Sequence, residues 1–369
     1  MQKKQKIMRP SAAEAPIKTA LAAFGMSGQV FHAPLITAHP GFQLVKVLER
    51  SGSGNAMEQY PAVKSVCQMG DILADPDIEL VVINTPEYTH YALAREALEA
   101  GKHVIVEKAF TVTSREGKLL IELAQKQGRM LSVFQNSRFH GDFRTIREII
   151  QARSLGQLVN CEMHYDRYRP TIQPGTWKEK SKPGTGSLYN LGVHMIDQAL
   201  VLFGWPHALF ADVGIQRLRG KVSDYFEVVL YYDQLKVILR SSYLVRIPGP
   251  RYILHGTAGS FIKYGSDPQE ALLKAGHLPG TENWGTEPEA FWGNLEAMID
   301  GINFKGKVET LRGSYLDYYD NIFEVMRHGS PLLVKPAEAL QAIMIIEAAL
   351  QSNQTRQVVS LDKLKHLYN

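Results

Sequence analysis

The 369-residue chain has few cysteines, little excess charge and no long apolar run. Two cysteines, Cys67 and Cys161, are too few for a disulfide framework or a cysteine-rich metal site, which indicates a reducing compartment. A net charge of +4 is too small for a surface that binds nucleic acid or membranes. Since no apolar run approaches the ~18 residues of a membrane helix, we expect a cytoplasmic protein without a metal, a nucleic-acid partner or a membrane anchor.

The first third of the chain has the pattern of a nucleotide-binding domain. The segment 1–16 contains lysines but lacks the apolar core of a secretory signal, so we predict a flexible extension. Strands are predicted at 19–24, 43–48, 80–84, 103–106 and 130–134. The helical segments between them end at glycines such as Gly101 and Gly128. Because the strands are continuously apolar, we expect both faces to be buried in a parallel, doubly wound sheet within a domain over 17–138.

The pattern changes beyond residue 138, where strands alternate between apolar and polar residues and favour an antiparallel sheet. Such strands are predicted at 158–168, 225–232 and 235–243, and helices at 142–152, 189–203 and 336–352. This pattern predicts an α+β domain over 139–369, with the helix at 336–352 packing back toward the first domain. Two loops rich in proline and glycine, 170–187 and 266–288, interrupt this half. The first contains Trp177, and we expect it to border an active site between the two domains.

The end of the first predicted strand carries the pattern of a dinucleotide-binding turn, with alanine in place of its first glycine. The turn consists of Ala23, Phe24, Gly25, Met26, Ser27 and Gly28. Gly25 would let the backbone approach a pyrophosphate, and Gly28 would let the following helix pack closely on the strand. The phosphates would lie at the helix N-terminus, toward which free N–H groups point. We therefore predict a dinucleotide-binding site here, the alternative being a purely structural turn.

The end of the second predicted strand distinguishes NAD from NADP. An acidic residue there binds the ribose 2′-hydroxyl, whereas an arginine accepts a 2′-phosphate. The chain has Glu49 followed by Arg50 and Ser51, so both features are present. A guanidinium and a hydroxyl suit a phosphate, which favours NADP over NAD as the cofactor. Charges that are merely solvated at a strand end are the alternative.

Polar residues also follow the fourth and fifth predicted strands, where parallel strands face a bound ligand. The candidate cofactor contacts at these two places are Asn84, Thr85, Pro86, His90, Glu107 and Lys108. An ammonium at position 108 would lie beside the nicotinamide and could hydrogen-bond the reacting oxygen. On spacing alone, a surface lysine after a strand is the commoner case.

The helix predicted at 189–203 carries Asn190, His194 and Asp197 on one face. A solvated polar face is the simpler interpretation, but apolar neighbours make the polar stripe narrow and favour a cleft. His194 is the candidate proton-transfer group because the pKa of a free imidazole lies near neutrality. His194 and Asp197 alone are too small a set for a metal site.

These stretches together resemble the glucose–fructose oxidoreductase/inositol dehydrogenase (Gfo/Idh/MocA) family of NAD(P)-dependent oxidoreductases. The resemblance runs from residue 17 onward, and within the family it is strongest to the NADP-type scyllo-inositol dehydrogenase branch. The matching segments are FGMSGQVFH at 24–32, INTP at 83–86, AGKHV at 100–104, EK at 107–108, FQN at 134–136, DRYRP at 166–170, LYNLGVHMIDQ at 188–198 and GPRY at 249–252.

The resemblance implies a Rossmann domain followed by an α+β domain with a large, mostly antiparallel open sheet that commonly forms a dimer or tetramer. It implies that Lys108 is the active-site lysine, that His194 is the catalytic histidine, and that Asn136 contacts the cofactor. Asn190 takes the position of an aspartate and is the third candidate catalytic residue. The candidate substrate-binding residues are Arg138, Arg167, Trp177, Asn190 and His194.

The chain departs from the family pattern at three positions, where Ala23 replaces a glycine, Ala109 a proline and Asn190 an aspartate. An aspartate could raise the basicity of His194, whereas asparagine can only orient a substrate hydroxyl or the imidazole. We expect a dehydrogenase or reductase that acts on a ring hydroxyl or ketone of a cyclitol or sugar. The alternatives are a non-catalytic NADP or sugar sensor, and a glycoside-processing enzyme with a tightly bound redox cofactor.

Overall fold

The computed structural model describes residues 14–365, so the predicted extension at 1–16 lies outside the described residues except for 14–16. Within this range the chain forms two sheets, one parallel and one mostly antiparallel, which confirms the predicted fold class. No helix among residues 14–365 is long and apolar enough to cross a membrane.

The first sheet has six strands in the order β3-β2-β1-β4-β5-β6, and all neighbouring strands are parallel. The strands are β1 Ile17–Leu21, β2 Phe42–Leu48, β3 Lys64–Val66, β4 Leu80–Ile83, β5 His103–Glu107 and β6 Leu131–Phe134. The helices are α1 Ala33–Ala38, α2 Asn55–Gln59, α3 Gly70–Leu73, α4 His90–Glu99 and α5 Ser114–Gln127. Because the strand order reverses between β1 and β4, their carboxyl ends open a crevice that suits a ligand.

Local signals explain where the helices of this sheet begin and end. The Thr113 hydroxyl accepts a hydrogen bond from the Glu116 amide, and the Glu116 carboxylate accepts one from the Thr113 amide, so a capping box starts α5. Gly101 and Gly128 follow α4 and α5 with φ of 74° and 60°, which confirms the predicted left-handed helix ends.

The second sheet has nine strands in the order β14-β13-β12-β11-β7-β10-β9-β8-β15. The strands are β7 Leu158–His164, β8 Ala208–Gly214, β9 Tyr225–Tyr231, β10 Lys236–Ser242, β11 Tyr252–Gly256, β12 Gly259–Lys263, β13 Gly293–Ile299, β14 Ile302–Val308 and β15 Val359–Ser360. One neighbouring pair of these strands, β7 and β10, is parallel, and the others are antiparallel.

The helices of this half pack against both sheets. They are α6 Gly141–Gln151, α7 Val193–Phe203, α8 Gln269–Lys274, α9 Leu316–His328, α10 Pro336–Thr355 and α11 Asp362–Lys365. α8 lies in the segment 266–288, so the prediction of a loop without secondary structure there was wrong. α10 contacts α5 and β6 of the first sheet and α7 and β8 of the second.

The core of the first sheet includes residues from the far end of the chain. Tyr319 and Phe323 of α9 are buried in the same apolar cluster as Phe31 and Phe42. The first half of the chain therefore relies on α9 to cover one face of its sheet, and the division at residues 138 and 139 remains a prediction.

Candidate active site

The predicted dinucleotide turn lies at the end of β1, where the side chain of Asn84 ties it to β4. The Ala23 amide donates to Asn84 Oδ1 at 3.0 Å, and Asn84 Nδ2 donates to the Ala23 carbonyl at 2.9 Å. The cofactor contact predicted for Asn84 stays a prediction, because these two bonds leave one N–H and one acceptor site of its amide. In the structure Asn84 shapes the crevice between the two strands.

The two glycines of the turn meet different surroundings. A Cβ on Gly28 would lie 2.6 Å from the Ala23 carbonyl oxygen, so only glycine allows the helix to approach the strand this closely. A Cβ on Gly25 would meet no atom within 4 Å. Helical backbone starts at Met26 and passes through one π-helical turn, Gly28–His32, into α1. The open space at Gly25 lies next to this helix start and fits a pyrophosphate.

At the end of β2 the acidic residue Glu49 is buried, whereas the basic residue Arg50 is exposed. Glu49 is 6% exposed and accepts hydrogen bonds from Ser53 Oγ at 2.7 Å and from the Ala56 amide at 3.2 Å. Burial acts to raise the pKa of Glu49, but these bonds outweigh it and the pKa is lowered. Arg50 and Ser51 are exposed, so the groups that suit a phosphate face solvent while the carboxylate is turned inward.

Unpartnered polar atoms lie at the end of β6. Both amide atoms of Gln135 and Oδ1 of Asn136 are buried and have no hydrogen-bond partner among residues 14–365. Buried polar atoms without partners are costly, and the nicotinamide carboxamide offers both a donor and an acceptor. These atoms, together with the open turn at Gly25, are what a dinucleotide site requires.

The predicted cofactor contact His90 has another role in the structure. Its ring is fully buried, with Nδ1 2.8 Å from the Ala109 carbonyl and Nε2 2.8 Å from the Thr85 carbonyl. His90 therefore joins the segment after β4 to the segment after β5 and does not face the crevice. Beside this link, the peptide bond between Lys108 and Ala109 is cis.

Lys108 reaches across to the turn that precedes α7. Its Nζ donates to the Asn190 carbonyl at 2.8 Å and to Asn190 Oδ1 at 3.2 Å. An ammonium has three donors, so one N–H remains for a substrate oxygen. Asn190 thus contacts the lysine and Tyr243, whose hydroxyl lies 3.4 Å from Asn190 Nδ2.

A buried chain of hydrogen bonds holds the backbone of Lys108. Glu107 Oε2 accepts from the Lys108 amide at 3.0 Å, and its Oε1 lies 3.1 Å from His32 Nε2. The Tyr319 hydroxyl lies 2.7 Å from His32 Nδ1, so the tyrosine donates to His32 and His32 donates to Glu107. Burial acts to raise the pKa of Glu107, but the bond from His32 and the charges of His32, Lys108 and His90 together outweigh it, and the pKa is lowered. Glu107 was predicted as a cofactor contact. In the structure its carboxylate holds the backbone amide of Lys108.

His194 lies near the N-terminus of α7 and is held by Ser137 and Tyr165. Its Nδ1 is 2.9 Å from Ser137 Oγ, and its ring stacks on Tyr165 with centroids 6.2 Å apart. Burial lowers the pKa of His194 well below its usual value, and the positive charges of Lys108 and Arg251 lower it further. The imidazole is therefore neutral at neutral pH, with Nε2 left to accept a proton when Nδ1–H donates to Ser137.

Arg138 was predicted to bind substrate, but the structure places it in an ion-pair network. Its guanidinium donates to both carboxylate oxygens of Asp197, at 2.6 and 2.7 Å, and to Glu338 at 2.6 Å. The third partner is the Leu333 carbonyl. Because Asp197 is 1% exposed, the pair is buried, and Arg138 joins α7 to α10 with four of its five N–H donors occupied.

The cavity beside Lys108 and Asn190 has a volume of about 240 Å³. We call residues 170–187, which form one wall, the strap. Trp177 of the strap lines the cavity and packs edge-on against Tyr88, with ring centroids 6.3 Å apart. The strap is fastened by Arg217, which pairs with Glu179 at 2.9 Å and with Asp224 at 2.7 Å.

The structure brings two of the five predicted substrate residues, Trp177 and Asn190, to the cavity wall. Arg138, Arg167 and His194 do not line it, and the charge of Arg167 acts to lower the pKa of His194. Sequence reasoning missed Ser137, Tyr243 and Glu87. Glu87 follows Pro86 directly, and its position after a predicted β strand was the signal that could have identified it.

The chain is similar to known oxidoreductases over nearly its whole length. Residues 17–135 match the family described as "Oxidoreductase family, NAD-binding Rossmann fold", and residues 147–361 match "Oxidoreductase family, C-terminal alpha/beta domain". It is 39% identical to scyllo-inositol 2-dehydrogenase (NADP(+)) IolW of Bacillus subtilis (strain 168), over 94% of this chain and 96% of that protein. It is 37% identical to the uncharacterised oxidoreductase YdgJ of Escherichia coli (strain K12), over 94% and 99%. A crystal structure of an oxidoreductase from Bacillus cereus, 33% identical, superposes with a TM-score of 0.86 over 94% of this chain and 99% of that one.

Proposed function

The chain belongs to the Gfo/Idh/MocA family of oxidoreductases, and we propose that it transfers a hydride between NADP and a ring hydroxyl or ketone of a cyclitol or sugar. Membership makes it an NAD(P)-dependent dehydrogenase. The observation that carries the proposal is the contact of Lys108 Nζ with Asn190 at 2.8 Å, which brings the lysine to the helical segment of His194 and to the cavity.

Lys108 and His194 have different roles at the reacting oxygen of the substrate. In the oxidation, the free N–H of the Lys108 ammonium holds the substrate oxygen, and neutral His194 accepts the hydroxyl proton. When the cofactor is bound, its nicotinamide supplies the hydride acceptor. Asn190 positions the ammonium and Ser137 positions the imidazole, so the two groups act on one oxygen with fixed geometry.

NADP is preferred in this proposal because of the β2 end. Arg50 and Ser51 are exposed, while the Glu49 carboxylate accepts hydrogen bonds from Ser53 and from the Ala56 amide. The ribose 2′-hydroxyl of NAD would therefore lack its usual acidic partner, and a 2′-phosphate would gain a guanidinium. The similar protein IolW carries NADP(+) in its name, which agrees with this preference.

We propose that the second sheet forms a homodimer or homotetramer. Exposed apolar side chains lie on β13 and β14, including Met298, Ile302 and Phe304. β14 is an edge strand, and exposed apolar edges tend to pair. The mass of the purified protein in solution tests the proposal, because Phe304→Glu would shift an assembly through this edge toward monomers. A wild-type protein that is a monomer in solution would contradict the proposed assembly.

We also propose that the protein is located in the cytoplasm.

The reaction is tested by a screen for cofactor reduction. Purified protein is mixed with NADP or NAD and with inositols and aldoses in parallel, and the reduced cofactor is followed by its absorbance. We expect reduction with at least one cyclitol or sugar, faster with NADP. Substrate consumption without net reduction would favour the glycoside-processing alternative, and binding without turnover would favour the sensor.

A further inference from the structure

Glu87 places a buried carboxyl in the wall of the cavity. It follows Pro86 after β4 and opens a single 3-10 turn, Glu87–Thr89. The residue is 6% exposed, it lines the cavity, and its Oε2 is buried without a hydrogen-bond partner among residues 14–365. No step of the hydride transfer described above uses this carboxyl.

The strap closes directly over Glu87. A Cβ on Gly184 would lie 3.0 Å from Val112 Cγ2 and 3.4 Å from Glu87 Cβ, so the strap and the β4–α4 segment are already in contact. The carboxyl is therefore enclosed between the strap and the Rossmann domain. Asn190 and Tyr243, which line the same cavity, offer an amide and a hydroxyl.

The charges around Glu87 favour an acceptor role. Burial raises the pKa of Glu87, and the charges of His90, Lys108 and Lys178, which favour the carboxylate form, offset this only in part. A carboxylate accepts hydrogen bonds from hydroxyl groups and repels carboxylates and phosphates. The cationic side chains of Arg169, Lys178 and Arg217 line the same cavity, and Arg217 is paired with Glu179 and Asp224. An anion is therefore repelled only beside Glu87 itself, where an enclosed acceptor without a partner fits a neutral hydroxyl donor.

We propose that Glu87 accepts a hydrogen bond from a substrate hydroxyl other than the one that is oxidised, and that it selects neutral polyols over anionic sugars. This inference rests on the proposed function and adds the substrate's charge class. Lys108 and His194 hold the reacting oxygen, and Glu87 fixes the ring by a second oxygen. A ring with two or more hydroxyls meets both requirements.

The test compares Glu87→Gln and Glu87→Leu with the matched changes at Glu96, an exposed residue of α4. The dissociation constant of scyllo-inositol is measured by calorimetry on the NADP-loaded protein, and KM is measured where turnover occurs. We expect binding to weaken about ten- to a hundredfold in Glu87→Leu, as for the loss of a charged hydrogen bond. We expect a smaller loss in Glu87→Gln, whose amide oxygen still accepts, and no change in either Glu96 variant.

Melting temperature separates contact from structural damage. Because Glu87→Leu replaces an unpartnered buried carboxyl with an apolar group of similar size, we expect its melting temperature to equal or exceed that of the wild type. If Glu87 had a purely structural role, a variant would bind scyllo-inositol weakly only if its melting temperature also fell. We expect Glu87→Leu to bind weakly although its melting temperature does not fall.

The second arm uses D-glucose and D-glucuronate, which share a ring and differ in charge. We expect the wild type to prefer glucose, and both Glu87 variants to reduce that preference. Unchanged affinity for scyllo-inositol and an unchanged preference in Glu87→Leu would overturn the inference while the dehydrogenase proposal stands. A wild-type protein that binds the polyol without reducing NADP would overturn the proposed function and leave the Glu87 contact measurable.

Discussion

The dinucleotide turn and the substrate cavity are built from different parts of the chain. The turn is made of backbone atoms within a few residues, from Ala23 to Gly28, and one side chain, Asn84, completes it. The cavity is lined by the strap, by Asn190 of the turn before α7, by Glu87 after β4, by Tyr243 after β10 and by residues such as Ser223 between β8 and β9. Backbone geometry tolerates little change, whereas a wall of side chains can be altered residue by residue. We therefore expect changes in the turn to act on folding and cofactor affinity, and changes in the cavity to act on rate and substrate choice.

The largest expected effect comes from Lys108, which contacts Asn190 of the cavity wall. Lys108→Ala should lower the rate of hydride transfer by about a hundredfold or more, because the reacting oxygen loses its donor. NADP affinity should stay within a few-fold, since Asn190 and the proposed substrate oxygen are the only groups assigned to the ammonium. Rates and cofactor titrations check this, with the exposed residue Lys126 as the matched Lys126→Ala control. Retained turnover would leave His194 as the sole acid–base group.

Gly28 and Gly25 divide the turn into a packing part and a binding part. Gly28→Ala should destabilise the protein by about 1–3 kcal/mol, because its Cβ would lie 2.6 Å from a backbone oxygen. Gly25→Ala should leave thermal stability unchanged, since its Cβ meets no atom within 4 Å, and should weaken NADP binding. Equal losses of stability in the two variants would refute this division.

Arg50 should distinguish NADP from NAD within the cofactor-binding region. Arg50→Ala should weaken NADP binding by about 1–3 kcal/mol through the loss of a charge-assisted hydrogen bond. NAD binding should be nearly unchanged, which makes NAD the internal control. Titrations of both cofactors decide the matter, and equal losses for both would show that Arg50 does not bind the 2′-phosphate.

The smallest expected effect is a shift in the pH profile of Asn190→Asp. Since the pKa of His194 is lowered, the oxidation rate should fall only when the pH drops through that lowered value and the imidazole becomes protonated. The new carboxylate would lie against Lys108, whose charge helps to lower this pKa, so the acidic limb should move up by about one unit or less. The rate measured against pH for both proteins tests this expectation. An unmoved limb with an altered KM would mean that Asn190 only binds a substrate hydroxyl.

Local patterns were enough to predict five of the six parallel strands and the glycine turn, because their signals span a few neighbouring residues. Roles that depend on distant partners were not predictable. Asn84 was placed correctly in the crevice, yet its partner Ala23 lies 61 residues away. Arg138 was taken for a substrate ligand because Glu338, 200 residues further on, leaves no local sign of the ion pair.

Strands with few apolar residues were also missed. β3 is a three-residue edge strand that begins with Lys64, and β14 is exposed along most of its length. β13 alternates between buried and exposed residues from Gly293 to Ala297, a signal that could have revealed it. Apolar periodicity indicates a strand only where one face is buried, and the interior strands β8, β11 and β12 were missed as well.

Trp177 gives the cavity an optical signal of its own. The other three tryptophans are occupied elsewhere: Trp284 is buried, and the indoles of Trp205 and Trp292 donate to backbone carbonyls. Trp177 lines the cavity wall, edge-on to Tyr88. We expect a polyol that enters the cavity to change the surroundings of this ring and not those of the other three. Occupancy of the substrate cavity can therefore be followed by the intrinsic fluorescence of the unlabelled protein.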